Sequence, residues 1–213
     1  MRSRTIEIIK SKLKLTRSQR EILTGLILGD AHLETQNNGR TFRIKFEYSS
    51  KHAAYANHIY EVFKNWILTP PQVKIDAARN NIWFQTLSHG AFRFYAQKFY
   101  RSNKKCVPVM IHRMLTKQSI AYWYMDDGSV KSKESKGVIF NTQGFTREDV
   151  SALIKTLNKY FGLNASERKQ KEGYQIYISG ESFERFKEIV EPFVIDSMRY
   201  KIPVDRITKM PKL

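Results

Sequence analysis

The chain predicts an α+β fold built from two tandem αββαββα units, residues 1–108 and 109–213. Three observations carry that reading. Two apolar runs, Leu23-Thr24-Gly25-Leu26-Ile27-Leu28-Gly29-Asp30-Ala31 and Ile120-Ala121-Tyr122-Trp123-Tyr124-Met125-Asp126-Asp127-Gly128, each close on a carboxylate, and those acids, Asp30 and Asp127, stand 97 residues apart. The segments that follow each acid alternate strand-like and helix-like patterns in the same order. Lys105 and Lys201 lie 96 residues apart, almost the same interval.

The elements follow in order. After Asp30 a short strand is expected at Ala31–Glu34, then a polar turn at Thr35–Gly39. The next strand, Thr41–Tyr48, alternates strictly, with Phe42, Ile44, Phe46 and Tyr48 on one face and Arg43, Lys45 and Glu47 on the other. Lys51–Leu68 reads as an amphipathic helix stopped by Thr69-Pro70-Pro71. A hairpin follows from Gln72–Ala77 to Ile82–Thr86, turning at Arg79-Asn80-Asn81, and a helix spans Gly90–Phe99. The second unit replays this order. Gly128–Val130 is the short strand, Lys131-Ser132-Lys133 the turn, and Gly137–Gln143 the longer strand. Thr146 caps a helix that runs to Phe161. A hairpin spans Ala165–Ser179 with its turn near Glu172-Gly173, and a last helix runs from Ser182 to before Arg199.

Composition narrows the function. With 37 Lys+Arg against 20 Asp+Glu, the 213-residue chain carries a formal charge of +17, and polyphosphate is the natural partner of such a surface. Hydrophobic content of 41% is enough for a sizeable core. The lone Cys106 excludes an intramolecular disulfide and favours a reducing compartment. No stretch approaches the ~20 apolar residues of a membrane span. Met1–Arg20 holds seven basic residues and one acid, Glu7. That composition resembles a mitochondrial transit peptide, but a solvated basic arm along nucleic acid is the better reading because the segment runs straight into the first helix.

The two acids suggest chemistry. An apolar run belongs inside, whereas an unpaired buried carboxylate is very costly. Two carboxylates at helix C-termini face the negative ends of two dipoles and repel each other, and a divalent cation between them is the simplest relief. Singly, each acid would be a helix-end residue meeting solvent; repeated at one spacing, the pair reads as a metal site. The five histidines, His32, His52, His58, His89 and His112, share no tight ligand spacing and read as structural or phosphate-side. Tyr122-Trp123-Tyr124 reads as core.

The two nine-residue runs, Asn103-Lys104-Lys105 before Val107-Pro108, Tyr200-Lys201 before Ile202-Pro203, Leu68-Thr69-Pro70-Pro71 and Asn141-Thr142-Gln143 together resemble the single-chain, two-motif LAGLIDADG homing endonucleases, in particular those encoded in yeast mitochondrial large-subunit rRNA introns. The resemblance spans nearly the whole chain. It implies a pseudo-twofold molecule whose two saddle-shaped antiparallel sheets straddle double-stranded DNA. It also implies that Asp30 and Asp127 bind Mg²⁺, with Mn²⁺ substituting, and that Gly29 and Asp126, the residues before them, can offer backbone carbonyls to the metal. The second motif departs from the pattern, because Tyr122 and Asp126 stand where the first has Gly25 and Gly29. The helix contact is therefore expected to be asymmetric. The lysines are offset by one residue relative to their prolines, which weakens their equivalence.

On this reading Lys105 and Lys201 act beside the scissile phosphates, steadying developing charge or orienting water. Arg43, Lys45 and Glu47 read base edges, since Arg and Lys suit guanine and Glu accepts from cytosine N4, and Asn141 and Gln143 suit adenine in the second unit. Lys74, Arg79 and Gln85, with Arg168, Lys169 and Lys171, complete the expected DNA contacts. The expected activity is a staggered double-strand break in a long asymmetric target by a monomer without a small-molecule cofactor, serving intron mobility. Mitochondrial location is expected, with the chloroplast as alternative. The rival is an RNA maturase assisting splicing of its host intron; retention of both motif acids favours the nuclease.

Overall fold

The structure is a computed structural model and describes residues 2–75, 80–132 and 135–203. Ala77, Arg79 and Lys133, which enter the expectations above, lie outside the described residues. The N-terminal segment is helical: Arg2–Lys12 is a helix, α1, mostly exposed from Arg4 on, and Leu15 beyond it is buried. Thr16 then caps α2 (Arg17–Leu28) in a reciprocal box with Gln19. The first unit continues with β1 (His32–Glu34), β2 (Arg43–Ser49), α3 (Ala53–Phe63), β3 (Gln72–Ile75), β4 (Asn80–Gln85) and α4 (Arg93–Phe99). The expected helix over 51–68 is α3 flanked by two single 3₁₀ turns, because tight turns at both ends absorb the rest of the apolar pattern.

A two-residue hairpin follows, β5 (Tyr100–Arg101) and β6 (Lys104–Lys105). Its turn residues Ser102 and Asn103 both have positive φ, 47° and 61°, as a twist-matched two-residue hairpin requires. The short α5 (Ile111–Met114) leads to α6 (Lys117–Asp127), whose cap Thr116 forms the same kind of box with Ser119. The second unit then runs through β7 (Gly128–Val130), β8 (Val138–Phe140), α7 (Arg147–Phe161), β9 (Ala165–Gln170), β10 (Gly173–Ile178) and α8 (Phe183–Val190). Thr146 caps α7 as expected, accepting from the Asp149 N–H. The last helix stops at Val190, short of expectation, because Pro192 lacks the N–H to continue it. Two 3₁₀ segments, Glu191–Phe193 and Asp196–Lys201, carry the chain onward.

The two sheets are antiparallel, four-stranded and alike in order: β1-β2-β4-β3 and β7-β8-β10-β9. β8 is shorter than the expected 137–143. Beyond Phe140 the chain is held by the Asn141 N–H to the Asp127 carbonyl and by the Thr142 hydroxyl to the Tyr174 carbonyl, with no ladder to continue. One face of each sheet packs onto helices: Phe46 and Phe84 against Phe63 and Tyr60 in the first unit, Phe140 against Trp123, Tyr124 and Phe186 in the second. Arg147 of α7 lies over the Tyr174 ring on the helix side of the second sheet.

α2 and α6 pack at the centre, with Ile22–Leu28 and Ser119–Met125 buried. Their contact is unequal. A Cβ on Gly25 would lie 2.2 Å from the Ser119 carbonyl oxygen and 3.0 Å from the Trp123 nitrogen, so the α6 backbone occupies that space. A Cβ on Gly29 would lie 2.5 Å from Asp126 Cβ. The small residues of the first motif thus receive backbone and side chain of the second.

Candidate active site and nucleic-acid interface

The packed helices deliver their acids to one place. α2 ends at Leu28, so Asp30 stands just beyond it, exposed; α6 continues through Asp127, which is half-buried. Each acid feels the other's partners. Although the residue reaches solvent, the protein packed around its carboxyl strips water from it and raises it above its usual range, against the charges of Lys105, Lys201 and His52. Burial, then the charge of Asp30, pushes Asp127 up to about 7, against the same two lysines. Burial also lowers Lys105 and Lys201, against the pull of Asp30, Asp126 and Asp127. The two motif acids, Asp126 and the two lysines therefore form one electrostatic unit.

The lysines arrive from unlike elements and do similar things. Lys105, on the tight β5–β6 hairpin, donates its ammonium to the carbonyls of Gly29 (2.6 Å) and Ala31 (3.2 Å). Lys201, at the end of the last 3₁₀ segment, donates to the carbonyls of Asp126 (3.0 Å) and Met125. The Tyr124 hydroxyl donates to the Lys201 carbonyl at 2.6 Å and fixes that segment on α6. Gly29 and Asp126 hold equivalent places in the two motifs, so the offset of the lysines from their prolines is absorbed in the fold. Each of these carbonyls keeps a second lone pair.

Asp126 belongs to the same cluster and makes two further contacts of its own. Its half-buried carboxylate accepts the Tyr55 hydroxyl (2.7 Å) and the Asp30 N–H (3.1 Å). A cavity of about 240 Å³ beside it is lined by Asp30, Glu47, His52, Tyr55 and Lys201 among others.

Strand register then fixes what faces away from the helices. In the first sheet, cross-strand rows place His32 beside Lys45 and Gln85, Glu34 beside Arg43, Glu47 beside Trp83 and Gln72, and Ser49 beside Asn81 and Lys74. Arg43 is paired with Glu34 at 2.9 Å, and Asn81 donates to Glu47 at 2.9 Å. In the second sheet, Ser129, Ile139, Tyr177 and Ser166 form one row and Gln175 with Arg168 another. The first open face is heavily charged and the second mostly neutral.

The sequence profile of the LAGLIDADG DNA endonuclease family matches residues 20–186. The chain belongs to that family. It is therefore a DNA endonuclease. It is similar to a probable intron-encoded endonuclease of Wickerhamomyces canadensis, 35% identical over 88% of this chain and 85% of the relative. It is also similar to the DNA endonuclease I-ChuI of Chlamydomonas applanata, 30% identical over 89% and 96%. Among solved structures, the homing endonuclease I-WcaI bound to its DNA recognition sequence superposes with a TM-score of 0.87 at 32% identity, covering 94% of this chain and 93% of that one.

Within this endonuclease, Asp30, Asp127, Lys105 and Lys201 are brought together. Arg43, Lys45, Glu47, Lys74 and Gln85 share the first open face. Asn141 lies beside Asp127, with its amide donating to the Asp127 carbonyl (2.9 Å) and its oxygen accepting from Gln175 (2.6 Å). Gln143 is half-buried, beyond the strand. One grouping needs correction. Lys169 pairs with Tyr174, on the helix side, while Arg168 pairs with Gln175 on the open side. Strand alternation splits the expected basic run, and Lys171 sits in the turn. The sequence reading also missed Trp83, Gln72, Asn81, Gln175 and Tyr177 on the open faces. The alternation of β4 and β10 was the available signal, once their registers against β2 and β8 are known.

Proposed function

We propose that this endonuclease hydrolyses both strands of a long, asymmetric duplex DNA site, with Asp30 and Asp127 holding divalent metal and Lys105 and Lys201 beside the scissile phosphates. The observation that carries this reading is the pair of motif acids in one site, with Asp127 pushed up to about 7 by burial and by the charge of Asp30. Such a carboxylate pair favours a bound cation, and the free lone pairs on the Gly29 and Asp126 carbonyls add oxygen ligands of the kind Mg²⁺ accepts. Divalent metal, Mg²⁺ or Mn²⁺, supplies when bound an activated water at neutral pH and charge stabilisation at the leaving oxygen.

The chain's own residues do the rest. The lysine ammonium groups, anchored on motif-helix carbonyls, keep two positive charges next to both acids and offer a remaining N–H to a phosphate oxygen. The open sheet faces bind and orient the duplex, Arg43, Lys45 and Glu47 in one half and Asn141, Gln175 and Arg168 in the other. The two units, 1–108 and 109–213, each address one half-site. Intron mobility, a staggered break and an organellar location, mitochondrial or chloroplast, complete the reading, supported by the intron-encoded relative and the DNA-bound homing endonuclease.

The test is cleavage and gel-shift on DNA from an intronless allele with Mg²⁺. A discrete double-strand break is expected. Asp30→Asn and Asp127→Asn should each abolish the break and keep the shift, since binding rests mainly on the chain's excess positive charge and the sheet faces. Cutting retained by either variant removes that acid from the site. Binding without any break by the unaltered protein would favour splicing assistance to RNA.

A further inference from the structure

The two motif acids are not held alike. Gly29, with φ −88° and ψ −128°, ends α2 before its acid. The N–H groups on either side of Asp30 still reach back into that helix, Gly29 to the Gly25 carbonyl (3.0 Å) and Ala31 to the Leu26 carbonyl (2.9 Å). The Asp30 N–H instead crosses the motif interface to Asp126 Oδ2 at 3.1 Å. The other oxygen of that carboxylate accepts the hydroxyl of buried Tyr55 at 2.7 Å, and the Tyr55 ring packs edge-on to Tyr48, 5.2 Å between centroids. Nothing equivalent can act on Asp127, because the first motif has Gly29 where the second has Asp126. Asp127 lies inside α6, and its carbonyl is held by Asn141.

We propose that Asp126 is a positioning residue for Asp30, acting through the Asp30 backbone with Tyr55 as its brace, and that it makes the two halves of the active site unequal, so that cutting of one DNA strand depends on it far more than cutting of the other. A carboxylate is a costly choice for a half-buried seam where the pseudo-equivalent residue is glycine. The site recovers that cost through two hydrogen bonds, one of which aims the opposite motif's acid. Displacing a reacting group by about 1 Å costs on the order of a hundredfold in rate, so a tether on one acid alone translates into strand bias.

The inference rests on Asp30 being a metal-holding acid, and the test separates the two ideas. Hydrogen exchange at the Asp30 amide is measured in metal-free protein, alongside strand-resolved single-turnover cleavage at saturating enzyme. Asp126→Ala should speed Asp30 exchange by about tenfold or more. It should slow one strand about ten- to a hundredfold more than the other, so that nicked DNA accumulates. Asp126→Asn should restore both readouts, because its Oδ1 still accepts from the Asp30 N–H and its amide can donate to the Tyr55 oxygen. Unchanged exchange, or equal slowing of both strands, overturns the proposal. If Asp126→Ala does not fold, Tyr55→Phe keeps the ring and removes one of the two hydrogen bonds; it should give the same strand bias in smaller measure, and no bias overturns the proposal. Asp30→Asn is run in parallel. Continued cutting by that variant sinks the metal role of Asp30, whereas the metal-free exchange result bears on the tether alone.

Discussion

Lys105 and Lys201 show how much a single side chain can organise here. Each ammonium closes on carbonyls at the end of a motif helix, where the helix dipole is negative, and each faces both acids. Replacing either by alanine is expected to slow single-turnover cleavage by about ten- to a thousandfold at saturating enzyme, the scale of losing one transition-state donor. If the lysines only touched distant phosphates, affinity would fall and saturating protein would restore the rate. The acids and lysines were legible in the sequence because repetition at one interval marks residues that a pseudo-twofold axis brings together. The Tyr55–Asp126 bond was not, because it joins residues 71 apart with no counterpart in the other unit. Trp83 was equally hidden, since its open-face position depends on register against Glu47.

The seam between α2 and α6 is where element-scale packing is tightest. A methyl group at Gly25 meets the backbone of Ser119 and Trp123, which cannot move aside as a side chain tip could. Gly25→Ala is expected to cost about 1–3 kcal/mol in urea unfolding. Gly90→Ala, where a Cβ meets nothing within 4 Å, should shift stability by less than about 1 kcal/mol. Equal losses for the two would show that the seam yields. α3 leans on α6 through His58, whose Nε2 lies 2.7 Å from the Tyr122 hydroxyl and whose ring stacks on it. Burial lowers the His58 pKa below 6.5, so its neutral form belongs to the folded state. Its contribution is complete above pH 6.5 and is lost as pH falls through the lowered folded value. Unfolding free energies at pH 8 and 5.5 should therefore fall more for the unaltered protein than for His58→Gln; parallel losses would refute the linkage. At this scale the existence and order of elements were legible from alternation and capping residues. The ends were less so: Pro192 cuts the last helix, and side-chain hydrogen bonds replace the ladder beyond Phe140.

The whole molecule reads as two related but unlike halves. One open face carries Glu34, Arg43, Lys45, Glu47 and Lys74, the other Ser129, Ser166, Arg168, Gln175 and Tyr177. With both acids in one chain, light scattering should give a monomer when free and one protein per duplex when bound, and selection from a random pool should return a non-palindromic site. A two-to-one complex or a strict palindrome would mean that the acids meet across subunits. The fold class and the DNA-directed charge were legible from the chain as a whole, because period and net charge are properties of the sum; the difference between the faces emerged only from register. The unequal helix seam also makes the two motif helices dependent on each other. Two copies of the first motif helix would set Gly29 against Gly29 with no side chain between them, whereas two copies of the second would drive Asp126 onto Asp126, like charge on like. Each helix has become the mould of the other. Neither motif helix paired with a copy of itself would reproduce this seam, so a protein built from one repeat alone would need other residues at Gly29 or Asp126 to rebuild it.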